Sequence, residues 1–201
     1  MLEDKTYSIL FILDNHIGEE RLKLAQICMD FIKAGHEVHV IYSSIDIDEA
    51  LELSLSKVPW IHIYKLPISA NFNLSQLFLP VSIRKYINRN DGVDIIHSFG
   101  LNCGILAYLS VRGLKTKVIN TPGAININND NIKAANLLKR FVFDNITYIF
   151  NRLYGTIVFF SSFEKNKSTE HVSYKNINSN LVDIAENSAS LSERLMQTYD
   201  K

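Results

Sequence analysis

Short apolar runs alternate with amphipathic stretches from the start of the chain. Residues 7–13 (YSILFIL) are almost entirely apolar and end at Asp14, which is typical of a strand buried on both faces. Residues 19–34 then carry apolar positions at helical spacing, and they stop at Gly35, a common helix terminator. A second strand-like run follows at residues 37–42. The opening of the chain therefore predicts strand, helix and strand.

The same alternation continues to residue 161. It predicts further strands at 60–64, 93–97, 117–121 and 156–161, and further helices at 46–56, 75–88, 102–111 and 131–153. Pro80 lies inside one of these helices, where it marks either a break or a new helix start. Strands that alternate with helices imply right-handed crossovers between parallel strands. The predicted fold class is α/β, a Rossmann-like parallel sheet flanked by helices.

The pattern changes after Ser162. Residues 164–180 are polar and lack periodicity, so they predict a polar linker. Beyond them, one helical stripe collects the apolar residues Leu181, Ile184, Ala185, Leu191, Leu195 and Tyr199. The predicted organisation is thus one domain at residues 5–163, a linker at 164–180, and a helix at 181–201 that packs back on the domain.

Composition narrows the classes of partner. The 201 residues include 21 Lys plus Arg and 21 Asp plus Glu, and this balance argues against a nucleic-acid partner. Cys28 and Cys103 both lie in apolar, helical stretches, so we expect buried free thiols. No signal peptide is visible, and no stretch reaches the ~20 apolar residues that span a bilayer. The predicted location is the cytoplasm.

Chemistry in an open parallel sheet belongs at the carboxyl ends of the strands. Gly18 precedes a helix whose N–H groups suit a phosphate or carboxylate, although it matches no dinucleotide or P-loop fingerprint and could be a turn residue only. His97 ends a strand and precedes Ser98, so it could act as a base, bind a sugar hydroxyl, or be a buried imidazole. No histidine and carboxylate pair has metal-site spacing, and we predict neither metal nor cofactor.

Four short motifs occur along the chain in a fixed order. Gly18-Glu19-Glu20-Arg21 opens the first helix, and Gly35-His36-Glu37-Val38 enters the second strand. Asp94-Ile95-Ile96-His97 forms a later strand, and Ser161-Ser162-Phe163-Glu164 follows the last one. In this order and spacing, residues 5–167 resemble the amino-terminal domain of glycosyltransferase family 4 enzymes, which have the two-domain GT-B fold.

The resemblance implies a single GT-B-type amino-terminal domain, the acceptor side of a hexosyl-transfer enzyme. In that family a second Rossmann-like domain binds the nucleotide sugar, and nothing after Ser162 is long enough to supply it, although residues 191–199 resemble the family's closing helix. The resemblance assigns no catalytic residue. Its ligand-binding candidates are Gly18, Glu20, Arg21, His97, Ser98 and Gly123.

Three positions depart from the family pattern. Ile17 stands in place of a glycine, and Phe99 in place of the second histidine of a histidine-x-histidine motif. Pro122 occupies a position where the family commonly has a histidine tied to catalysis. Proline can neither accept a proton nor donate a hydrogen bond, so this position argues against ordinary catalytic competence. We expect the isolated chain to be inactive in sugar transfer, because the domain that would hold the nucleotide diphosphate and stabilise its departing charge is missing.

Two functional hypotheses follow from the resemblance. The chain is either an acceptor-binding half that works with a separate donor-domain subunit on a sugar or lipid-linked acceptor, or a non-catalytic remnant or regulator that binds a partner glycosyltransferase or a carbohydrate. An unrelated flavodoxin-like domain would need a phosphate loop that residues 14–20 do not supply.

A basic and aromatic segment raises the question of a membrane. Lys139, Arg140 and Arg152 share a predicted helix with several aromatic residues, a combination that can rest on an anionic membrane surface. The alternative is that the aromatic residues belong to the core. The first interpretation predicts peripheral contact with the inner face of the membrane.

Overall fold

A computed structural model describes residues 5–14, 20–45, 48–69, 74–122, 145, 148–149, 152–153, 156–160, 165–166, 179–182 and 188–200. The strands are β1 (Ser8–Leu13), β2 (Glu37–Ser43), β3 (His62–Leu66), β4 (Ile95–Phe99), β5 (Lys117–Thr121), β6 (Thr156–Phe159) and β7 (Ser179–Leu181). The helices whose bounds lie within the described residues are α1 (Glu20–Lys33), α2 (Glu49–Ser56), α3 (Leu79–Arg89), α4 (Leu101–Val111) and α5 (Ser188–Tyr199), with a 3₁₀ helix (Leu74–Phe78) before α3.

The described strands form one parallel sheet in the order β3-β2-β1-β4-β5-β6-β7. The chain runs outward from β1 to β3 and then crosses back, so that β4 pairs with the free side of β1. This reversal is the topological switch point at which ligands bind in doubly wound sheets. The predicted Rossmann-like α/β architecture is confirmed.

Alternating side chains of the central strands enter two separate cores. Ile9, Phe11 and Leu13 of β1 pack with residues of α1, α2 and α5, whereas Leu10 and Ile12 pack with residues of α3 and α4. All five side chains are inaccessible to solvent. The continuous apolar run of β1 follows from this burial on both faces.

Pro80 marks a new helix start, one of the two alternatives that the sequence left open. The 3₁₀ helix ends at Phe78, and Pro80 lies in the first turn of α3. Proline is tolerated there because the first helical N–H groups have no intrahelical acceptor.

The carboxyl-terminal part differs from the sequence prediction. Ser179–Leu181 forms β7, which pairs with β6, and α5 begins only at Ser188. The prediction had ended the linker at residue 180 and placed Leu181 in the closing helix. A strand of three residues is too short to show a period of two, and its pairing depends on the partner strand. Val182 continues the contact, and its backbone N–H donates to the Phe159 carbonyl (2.8 Å).

Other predicted helical positions have mixed outcomes. Leu191, Leu195 and Tyr199 of α5 are buried in the core beside α1, while Ile184 and Ala185 lie outside the described residues. Of the predicted helix at 131–153, the described residues are helical: Asn145, Tyr148, Ile149, Arg152 and Leu153. Lys139 and Arg140 lie outside the described residues. Among the helices described, none is both long enough and apolar enough to cross a bilayer.

Candidate functional site

The carboxyl ends of β1 and β4 meet at the switch point. Asp14 directly follows β1 and is 8% exposed, and Gly100 directly follows β4. A Cβ atom on Gly100 would lie 3.2 Å from Asp14 Oδ2, so the carboxylate touches the start of α4. Gly100 adopts φ +89°, and its N–H donates to the Thr121 carbonyl (2.7 Å), which ties the end of β4 to β5.

The Asp14 carboxylate places a negative charge at this edge of the sheet. It lies at the amino end of α4, where unpaired N–H groups and the helix dipole favour a negative charge. The same carboxylate acts on Cys103 in the first turn of α4. Burial raises the pKa of the Cys103 thiol, and the negative charge of Asp14 raises it further. A phosphate approaching α4 here would meet a carboxylate, whereas a hydroxyl group could donate a hydrogen bond to it. The edge is therefore suited to hydroxyl groups.

Ser98 lies on the α3 and α4 face of β4 and is fully buried. Its hydroxyl donates to the Ile119 carbonyl (3.2 Å). The Asn120 side-chain amide, in the orientation that satisfies both of its polar atoms, donates to the Ser98 hydroxyl (3.0 Å) and to the carbonyls of Ser98 and Gly100 (3.1 Å each). This network joins the ends of β4 and β5 and shapes the backbone around Gly100.

His97 lies on the opposite face of β4, the face covered by α1 and α5. It has no exposed surface, and its two ring nitrogens are close to hydroxyl groups: Nδ1 lies 2.7 Å from the Tyr199 oxygen and Nε2 lies 2.8 Å from Thr121 Oγ1. A neutral imidazole has one donor and one acceptor, and each hydroxyl can serve as either partner. The rings of Phe99 and Phe160 stack on the imidazole at centroid distances of 4.8 and 6.3 Å.

Burial lowers the pKa of His97 to about 3. The surrounding aromatic rings provide no carboxylate to stabilise a charged imidazolium, so the neutral form is strongly favoured. At neutral pH the imidazole is a hydrogen-bonding bridge between β5 and α5. Among the described residues, no group of three or more histidine, cysteine, aspartate or glutamate side chains could hold a metal ion.

Comparison with known proteins places the chain in a family. A family model described as Glycosyltransferase Family 4 matches residues 24–179, which is well over half of the 201 residues. The chain belongs to glycosyltransferase family 4. No match was found among curated proteins.

Solved structures support the fold of this family 4 chain. A glycosyltransferase from Rickettsia africae ESF-5 is similar at a TM-score of 0.65 and 16% identity, and the match covers 98% of this chain and 50% of that one. A sucrose-phosphate synthase from Thermosynechococcus elongatus is similar at a TM-score of 0.60 and 8% identity, covering 88% of this chain and 48% of that one. The chain thus spans about half the length of these two GT-B neighbours.

A second structure of the Thermosynechococcus elongatus synthase is matched over nearly its whole chain. The match covers 95% of this chain and 97% of that one, at a TM-score of 0.61 and 12% identity. At such low identities the likeness shows the fold alone. The shared fold is that of one Rossmann-like domain of the GT-B type.

The structure does not bring the predicted site residues of this family 4 chain together within its described part. Gly18 and Gly123 lie outside the described residues, and Glu20 and Arg21 begin α1 with side chains that also lie outside them. Ser98 and His97 are buried on opposite faces of β4. The described structure therefore brings Ser98 close to the switch point through Asn120, and it directs the His97 ring away from it toward α5.

Two residues with important contacts were not singled out from the sequence. Asp14 directly follows β1, and ligands bind at the carboxyl ends of the strands in an open parallel sheet. Its position and its acidic side chain could therefore have identified it from the sequence. Tyr199 had no comparable signal, because its partner His97 is 102 positions away. The apolar stripe predicted its burial but not its hydrogen bond.

Gly100 provides a test of the geometry at the switch point. We expect Gly100→Ala to lower the free energy of unfolding by about 1–3 kcal/mol, because φ +89° is strained for alanine and the new methyl group would press on Asp14. Gly113→Ala is a matched control, since Gly113 has φ +84° with nothing within 4 Å of the added Cβ atom. Urea unfolding should show the larger loss for Gly100→Ala. Equal losses would mean that the Asp14 contact has no energetic consequence.

Proposed function

We propose that this chain is the acceptor-side half of a hexosyl-transfer glycosyltransferase, and that a separate protein supplies the nucleotide-sugar-binding half. The observation that carries the proposal is the Asp14 carboxylate at the switch point, next to Gly100 and the first turn of α4. A carboxylate accepts hydrogen bonds from sugar hydroxyls and repels the phosphates of a nucleotide sugar. It fits an acceptor that presents hydroxyl groups, either a free sugar or a lipid-linked one.

The spacing between elements supports a donor domain on another chain. In the family resemblance, the closing helix follows the donor domain and returns to the first domain. Here only residues 160–187 separate β6 from α5, and they include β7. Because domains typically need about 100–150 residues, this interval has no room for one.

The second candidate is a non-catalytic subunit that binds a partner glycosyltransferase or a carbohydrate. The burial of His97 favours it, because an imidazole with no exposed surface and a pKa lowered to about 3 is a poor base at neutral pH. Pro122, which is also buried, adds no proton acceptor where the family commonly has a histidine. The two candidates differ in whether transfer appears when a donor domain is present.

A transfer assay tests the proposal. We expect the 201-residue protein to show no turnover with a panel of nucleotide sugars and acceptors, because in this proposal the groups that stabilise the departing diphosphate belong to the donor domain. Addition of a separately produced family 4 donor domain should allow transfer, and Asp14→Asn should weaken acceptor binding by about tenfold, as expected for loss of a charged hydrogen bond.

The outcomes distinguish the two candidates. Turnover by the protein alone would overturn the proposed division between two chains. Acceptor binding that is lost in Asp14→Asn, without transfer in the presence of any donor domain, would favour the non-catalytic subunit. Unchanged acceptor binding in Asp14→Asn would contradict the role of the carboxylate, and Asp48→Asn, at the N-cap of α2, is the matched control.

A further inference from the structure

An apolar patch lies on the surface where the 3₁₀ helix passes into α3. Leu77, Phe78 and Val81 are 53%, 76% and 54% exposed, respectively. Single exposed apolar residues are common, but three neighbouring ones indicate a surface that contacts a partner. We name these three residues the α3 patch.

The patch continues into a basic stripe along the same helix face. Phe78, Val81, Lys85 and Arg89 follow one another at intervals of three or four residues, the spacing of a single helix face. All four are exposed, and the opposite face of α3 is buried through Leu79, Ile83 and Ile87. The solvent face of α3 is therefore apolar at its start and basic toward its end.

All the charged residues of the 3₁₀ helix and α3 are basic. Residues 74–89 contain Arg84, Lys85 and Arg89 and no acidic residue, although the whole chain has equal numbers of acidic and basic residues. Arg84 donates to the Arg112 carbonyl (2.9 Å) at the end of α4, which leaves Lys85 and Arg89 as the exposed cations of α3. Leu53 on α2 offers a contrast, because it is 60% exposed but lies among Asp48, Glu49 and Glu52.

The α3 patch lies at the same edge of the sheet as Asp14. The side-chain amides of Gln76, just before the patch, and Asn102, in the first turn of α4, both donate to the Ser69 carbonyl (3.2 and 3.3 Å). The start of α3 is thus held next to the start of α4, where Asp14 touches Gly100.

We infer that the solvent face of α3 docks on an anionic lipid surface, with the α3 patch in the interfacial region and Lys85 and Arg89 at the lipid phosphates. Apolar side chains beside lysine and arginine are the combination that binds such surfaces, and the long basic side chains can reach the headgroups from an apolar position. A second copy of the chain fits this face poorly, because residues 74–89 contain no acidic residue that could pair with Lys85 and Arg89 across a twofold contact. This inference does not depend on the proposed transfer reaction.

Vesicle sedimentation tests the inference. We expect the 201-residue protein to sediment with vesicles of mixed phosphatidylglycerol and phosphatidylcholine, and to bind much less to phosphatidylcholine alone. Lys85→Ala should weaken binding about fivefold, as expected for one basic residue at an anionic surface. Phe78→Ser should weaken it by about tenfold or more, because it removes the most exposed apolar side chain.

Leu53→Ser is the matched control, since it removes another exposed apolar side chain (60%, against 76% for Phe78) from a position with acidic neighbours. Circular dichroism should give the same melting temperature for all three variants as for the unchanged protein, because each side chain is exposed. Absence of vesicle binding, or equal losses for Phe78→Ser and Leu53→Ser, would overturn the inference. Self-association that Phe78→Ser abolishes, without vesicle binding, would also overturn it and assign the patch to a second copy.

Discussion

Replacing Tyr199 with alanine is expected to lower the free energy of unfolding by about 3–5 kcal/mol, the usual loss for a large buried aromatic side chain. Tyr199 is 3% exposed, its ring lies 5.9 Å from that of Phe31 in α1, and its hydroxyl lies 2.7 Å from His97 Nδ1. Its carbonyl also accepts a hydrogen bond from Lys117 Nζ (2.9 Å). The side chain therefore links α5 to both α1 and the sheet.

Tyr199→Phe separates the hydrogen bond from the packing. It keeps the ring but leaves His97 Nδ1 without a partner, and we expect a loss of about 1–3 kcal/mol. Chemical unfolding of both variants measures the difference, and hydrogen exchange should show protected amides in α5 of the unchanged protein. If Tyr199→Ala unfolds like the unchanged protein, α5 contributes nothing to this fold and must serve a partner.

Acid should destabilise the protein through His97. Its pKa is lowered from the ordinary 6.5 to about 3 in the folded state by burial. Between these values the unfolded chain binds a proton that the folded chain excludes, so stability rises with pH across this range. The contribution is complete above pH 6.5 and is lost as the pH falls toward 3, by up to about 1.4 kcal/mol per pH unit.

His97→Gln isolates this contribution, because glutamine can hydrogen-bond to a hydroxyl but does not titrate. Its free energy of unfolding should depend less steeply on pH between 6.5 and 3 than that of the unchanged protein. Burial also lowers the pKa values of His36 and His39, and both remain in the variant, so the difference in slope belongs to His97. Identical slopes would mean that the His97 ring becomes protonated without unfolding.

The sequence could not choose between the two interpretations of His97. A histidine at the end of a strand faces either a ligand or the core, and the direction depends on which face of β4 each helix covers. The partners are Tyr199, which is 102 positions away, and Thr121 on the neighbouring strand. Neither contact leaves a local pattern, since side-chain hydroxyl groups occur throughout the chain.

The sequence predicted where the site at the switch point lies, but not which contacts its residues make. Because ligands bind at the carboxyl ends of parallel strands, the sequence pointed to the residues after β1 and β4. In the structure, Asp14 after β1 contacts Gly100 after β4. Ser98 was one of the ligand-binding candidates, and the structure has it buried and hydrogen-bonded to β5. A strand pattern specifies which residues alternate between faces, but the hydrogen-bonding partners come from the register with β5.

The fold class and the central elements of this protein follow from the hydrophobic pattern along the chain. Strands buried on both faces need continuous apolar runs and helices need a period of 3.6, so local hydrophobic pattern is sufficient for both. Tertiary structure alone decided β7, the contact of Asp14 with Gly100 and the bridge from His97 to Tyr199. Each of these joins segments far apart in the chain, and its energy arises only after the sheet has brought them together.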